Sequence, residues 1–179
     1  MIKKVTFFGS SVVTAGSGAY DSAFRTAKLL AREGYEVING GGPGVMKASS
    51  EGAKAGGGKV LGITFNPKDM THFEGRDPTN PVDEEIVMEN YVERTVSLLE
   101  TGDVYIFFNG GTGTISEFGM AWGLARLYFG HHKPLILFGE FWHEILEAFG
   151  GNMLIRAEEI RVYRIVTTPE EVLEEIKQL

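Results

Sequence analysis

The chain has 179 residues, of which 43% are hydrophobic and 23% charged, and a net charge of −7. Its length fits one folded domain with a real core, residues 1–179, and its acidic balance argues against a broad nucleic-acid surface. The lack of cysteine excludes disulfides, cysteine–zinc sites and a thiol nucleophile; with no apolar signal core after Met1 and no apolar stretch long enough to span a membrane, a soluble cytoplasmic protein is expected.

Val5-Thr6-Phe7-Phe8 reads as a short strand, closed by Gly9-Ser10-Ser11. Ala23 to Glu33 has helical spacing and stops at Gly34. Glu36 to Asn39 is a second strand, closed by Gly40-Gly41-Gly42-Pro43-Gly44, and a helix follows from Val45 to Ala55. Val60 to Thr64 is a third strand. The polar segment Asn66 to Asp83, with three prolines, is the one long irregular stretch, a length that is usually functional or disordered. Ile86 to Met88 reads as a short strand and Tyr91 to Glu100 as a helix. The apolar strand Val104 to Phe108 ends in Asn109-Gly110-Gly111-Thr112-Gly113-Thr114 and runs straight into a helix. Pro134 to Phe138, the helix Phe141 to Phe149 and the strand Arg164 to Val166 follow, and Thr168-Pro169-Glu170-Glu171 is a helix start with a cap, a first-turn proline and first-turn acids.

Continuous apolar strands alternating with helices predict a mostly parallel sheet covered on both faces, a three-layer α/β/α, Rossmann-like fold. Ligands of such sheets bind beyond the carboxyl ends of the strands. The turns at Gly9, Gly40–Gly44 and Gly110–Gly113 all follow strands, so they are expected to line one crevice. The last is built for phosphate, because glycines let the backbone approach an anion and a helix N-terminus presents unbonded N–H groups. Glu117, about one turn into that helix, would repel a phosphate and points instead to sugar hydroxyls or a water.

Other chemistries are disfavoured. The Gly40–Gly44 turn lacks the register of a G-x-G-x-x-G fingerprint, and there is no P-loop pattern or G-x-S-x-G elbow. His72, His131, His132 and His143 show no metal-ligand spacing, and the His131-His132 pair reads as a solvent-facing turn. On the residues alone, Arg94 reads as a surface arginine of a helix.

In their order along the chain, Phe8-Gly9-Ser10-Ser11, Gly40-Gly41-Gly42-Pro43-Gly44-Val45-Met46, Met88 through Arg94, and Gly110-Gly111-Thr112-Gly113-Thr114-Ile115-Ser116-Glu117 resemble the Lonely Guy (LOG) family, long labelled "possible lysine decarboxylase". The resemblance runs on through Phe141-Trp142 and the helix at Thr168. It implies a homodimer that hydrolyses the N-glycosidic bond of a nucleoside 5′-monophosphate, AMP or a cytokinin riboside monophosphate, with no metal or cofactor. It also implies the roles. Gly110, Gly111, Thr112, Gly113 and Thr114 hold the phosphate, Ser10 and Gly42 make the first two glycine-turn contacts, and Glu117 and Arg94 are catalytic. Glu117 would stabilise positive charge at C1′ and orient the attacking water. Arg94 would complement either the phosphate or the leaving base, and both roles stay open. Two positions depart from the family pattern: Asn109 stands for its proline, and Thr95 for the lysine after the arginine. The wider superfamily supplies the alternative, a nucleotide-binding or molybdenum cofactor carrier protein without turnover.

Overall fold

A computed structural model describes residues 2–68, 70 and 75–179. Much of the irregular segment is therefore described, whereas His72 lies outside the described residues. The strands are β1 (Lys4–Phe8), β2 (Glu36–Asn39), β3 (Val60–Phe65), β4 (Glu84–Met88), β5 (Val104–Phe107), β6 (Leu135–Phe138) and β7 (Tyr163–Val166). The helices are α1 (Gly18–Arg32), α2 (Val45–Ala55), α3 (Tyr91–Thr101), α4 (Thr112–Leu127), α5 (Phe141–Asn152) and α6 (Pro169–Lys177). All strands join one parallel sheet in the order β4-β3-β2-β1-β5-β6-β7. Strand order reverses between β1 and β5, and a crevice opens there, past the carboxyl ends of both.

Alternate side chains of the covered strands feed two cores. On β1, Val5 and Phe7 join α1, α2 and α6, whereas Phe8 joins α3, α4 and α5. On β5, Val104 and Ile106 take the first side, and Tyr105 and Phe107 the second. Both faces of the central strands are covered, which is why their sequences are unbroken apolar runs. Trp142 anchors the second core; it is 1% exposed, and its indole N–H donates to the Phe107 carbonyl at 3.1 Å.

Two elements differ from the sequence expectation. Helix α1 begins at Gly18 rather than Ala23, because the Ser17 hydroxyl accepts from the Tyr20 N–H and caps an extra turn. Strand β4 begins at Glu84 rather than Ile86, and Glu84 to Val87 are exposed, since β4 pairs with β3 alone and forms the sheet edge. At α6, Thr168 and Glu171 form the expected cap as a reciprocal capping box. Among the described residues no helix is long and apolar enough to cross a membrane.

Candidate functional site

The three glycine turns meet at the crevice. The Ser10 N–H donates to the Asn109 carbonyl at 2.9 Å, and the Val45 N–H donates to the Ser10 carbonyl at 2.8 Å. The middle turn is drawn in closely: Gly44 has φ +67°, and a Cβ there would lie 2.1 Å from the Ser10 carbonyl oxygen. Asn39, buried at the end of β2, holds this turn from below. Its Oδ1 accepts from the Gly41 N–H, and its Nδ2 donates to the Met46 carbonyl and to the Ser49 and Ser50 hydroxyls. From above, Asn80 of the irregular segment donates to the Gly42 carbonyl, and the Asp77 N–H donates to that of Gly41.

Beneath the turns lies a cavity of about 190 Å³, whose lining includes Gly9, Ser11, Gly40, Met46, Arg94, Thr114 and Glu117. At its floor Arg94 and Glu117 form a buried ion pair, with Nη1 to Oε1 at 3.3 Å and each residue 7% exposed. Arg94 is held on every side. Its Nε donates to the Ile63 carbonyl at 3.1 Å, its Nη2 lies 3.6 Å from the Met46 sulfur, and its guanidinium stands over the Phe65 ring at 6.0 Å. Burial pushes the Glu117 carboxyl up to about 7, and Arg94 partly opposes that shift. A carboxyl near 7 sits where it can hold or release a proton at neutral pH.

Helix α4 starts at the rim. Its cap, Gly111, has no side chain, its first turn carries no acid, and Gly111, Thr112 and Gly113 are exposed. The first N–H groups of the helix thus have neither an intrahelical acceptor nor a competing carboxylate, the setting that favours an anion. Thr114 is buried and lines the cavity. Gly110 fits tightly, since a Cβ there would lie 2.1 Å from the Thr114 hydroxyl oxygen.

The structure therefore brings Arg94, Glu117 and Thr114 into one cavity. Ser10, Gly42, Gly110, Gly111, Thr112 and Gly113 lie outside its lining: the Ser10 hydroxyl accepts from the Val12 N–H, and Ser11 faces the cavity instead. Arg94 is not the surface arginine that its helix alone suggested. Sequence reasoning placed Gly40 and Met46 in a motif without giving either a place in the site. A Cβ at Gly40 would fall 1.6 Å from Arg94 Nη2 and 2.8 Å from the Met46 sulfur, so this glycine is the space that the guanidinium occupies. The signal was present as a run of glycines, but which one faces an arginine on another helix is not a local property.

Residues 3–161 match the model of the SLOG cluster4 family. The chain belongs to the SLOG cluster4 family. An uncharacterized protein of Archaeoglobus fulgidus is 37% identical over 102 residues, which is 57% of this chain. A cytokinin riboside 5′-monophosphate phosphoribohydrolase of Mycobacterium marinum is 32% identical over 114 residues, 63% of this chain. The matched stretches span 63% and 58% of those two relatives' own lengths. Among solved structures, a molybdenum cofactor binding protein from Rippkaea orientalis is 26% identical with a TM-score of 0.73, and the match covers 99% of this chain and 97% of that one. The resemblance read from the glycine turns and from Arg94 and Glu117 thus holds at the level of the family.

Proposed function

We propose that this SLOG cluster4 protein hydrolyses the N-glycosidic bond of a nucleoside 5′-monophosphate, releasing the free base and ribose 5-phosphate. The observation that carries this reading is the buried Arg94–Glu117 pair beside the bare N-terminus of α4. A buried carboxylate beside a site for an anionic ligand is accounted for when positive charge develops nearby in the reaction. Cleavage of a ribose–base bond develops that charge at C1′. The exposed first turn of α4 anchors the 5′-phosphate, and binding energy there is used to position the remote reacting bond. Glu117 faces C1′ and takes the proton of the attacking water as its oxygen bonds to C1′. The C1′–N bond breaks with its electron pair going to the base nitrogen, which takes a proton from solvent, while Glu117 gives up the water's proton to solvent. Held by Ile63, Met46 and Glu117, Arg94 acts on the carboxylate more directly than on the phosphate. The likeness to the mycobacterial phosphoribohydrolase supports this chemistry.

A second reading, carriage of a molybdenum cofactor without turnover, is favoured by the Rippkaea neighbour. Incubation with AMP, followed by chromatography of released adenine, separates the two. The hydrolase reading expects release with an acidic limb near pH 7, because Glu117 must be ionised to work. It also expects Glu117→Gln to lower kcat by about 10³-fold or more while a phosphate-bearing ligand still binds. No release from AMP or an N6-isopentenyl analogue overturns it.

We also propose that the protein acts as a homodimer through α4, whose Ile115, Leu124 and Leu127, with Tyr128 at its C-terminal cap, are large apolar residues left exposed.

A further inference from the structure

We propose that Tyr91 is a positioning residue whose hydroxyl pins the first turn of α3 to the first turn of α4 and so keeps Arg94 in register with Glu117. The Tyr91 hydroxyl lies 2.5 Å from the Ser116 hydroxyl, and both are within donating reach of the Gly113 carbonyl, at 3.3 and 2.8 Å. Tyr91 opens α3, and Arg94 follows three residues later on the same side of the helix. Ser116 directly precedes Glu117 on α4. The pin and the ion pair therefore join the same two helices, three residues apart on α3 and from adjacent residues on α4.

A shared support completes the arrangement. The Tyr91 ring meets the Phe65 ring edge-on, with centroids 6.1 Å apart, and the Phe65 ring also lies under the Arg94 guanidinium. Tyr91, Phe65, Arg94, Glu117 and Ser116 thus form a closed circuit across β3, α3 and α4. The circuit matters because the Arg94–Glu117 contact, at 3.3 Å, is already long for a charged hydrogen bond. A few tenths of an ångström of slip between the helices removes it. Tyr91 itself is not among the residues that line the cavity, so it acts through the pair rather than on the ligand.

The kinetic part of this inference rests on the phosphoribohydrolase reading; the structural part does not. Tyr91→Phe keeps the ring on Phe65 and deletes only the hydroxyl, and Ser116→Ala deletes its partner. Each single variant is expected to lower kcat for adenine release from AMP about fivefold with KM within about twofold, the scale of one neutral hydrogen bond. The double variant is expected to be no worse than the weaker single, because both substitutions break one interaction. Arg94 is the charge acting on the Glu117 carboxyl, so its titration midpoint, followed by NMR with carboxyl-labelled glutamate, should move upward in all three proteins. An unmoved midpoint overturns the proposal, as does a raised KM with unchanged kcat, which would place Tyr91 on the phosphate. If the wild-type protein releases no adenine, the hydrolase reading falls, and the titration still decides the pin.

Discussion

Gly40 and Arg94 decide the site together. The guanidinium fills the space that any Cβ at position 40 would take, 1.6 Å from Nη2. Gly40→Ala is therefore expected to drive Arg94 off Glu117 while the turn, held by Asn39, stays in place. The expected cost is about 1–3 kcal/mol of stability from overpacking, and at least tenfold in kcat/KM for AMP. With the opposing charge displaced, the Glu117 midpoint should rise above its value of about 7. Urea unfolding and a carboxyl NMR titration check both effects, and a G40A protein with wild-type midpoint and activity would remove the steric role. Asn109 and Thr95, the two departures from the motif, fit without harm: the Asn109 carbonyl accepts from Ser10, and the buried Thr95 hydroxyl donates to the Tyr91 carbonyl. Neither needs the proline or the lysine that stands there in the family pattern.

Among the helices, α4 stands apart. Helices α1 and α6 each show one apolar stripe, on Ala23, Ala27 and Leu30 and on Val172 and Ile176. Helix α4 is apolar on all sides, with Phe118, Ala121 and Ala125 buried and Leu124, Leu127 and Tyr128 exposed. A helix of that kind needs a second cover. Under the proposed homodimer, replacing Leu124 and Leu127 together by aspartate is expected to give a monomer by light scattering, because like charges would face each other across the two-fold axis. A wild-type protein that is itself monomeric at micromolar concentration would sink the idea. Element boundaries were largely legible, since caps and periodicity are local: α2 and β2 fall where the pattern places them. The start of α1 was missed because Ser17 lies upstream of the first clear apolar repeat, and β4 was read two residues short because it opens with the exposed Glu84 and Glu85.

For the whole molecule, Glu117 ties stability to pH. Its carboxyl titrates near 7 in the fold against an ordinary 4.5, so the folded state binds this proton more tightly than the unfolded chain. The associated stability is fully present below about pH 4.5 and is lost as pH rises through about 7, a decline on the order of 3 kcal/mol. Asp77 and Asp83 act in the opposite sense. Hydrogen bonds from Thr79 and Lys54 hold them below the usual range, and their contribution is lost as pH falls through those lowered values. Urea unfolding is therefore expected to show greater stability at pH 5.5 than at pH 8. Glu117→Gln should remove most of that difference, and an equal slope in both proteins would contradict the assignment.

The sequence by itself determined the alternation of strands and helices, the parallel sheet and the three glycine turns, because periodicity, caps and turn residues act over a few positions. The resemblance to the LOG family also marked Arg94 and Glu117. Only the tertiary structure decided that these two residues, 23 positions apart, share one buried ion pair. That pair depends on the Ile63 carbonyl of β3, the missing side chain of Gly40 and the closeness of α3 to α4. Burial is a property of everything packed around a charge, so an arginine that reads as a surface residue on its own helix becomes the partner of a carboxyl held near neutrality.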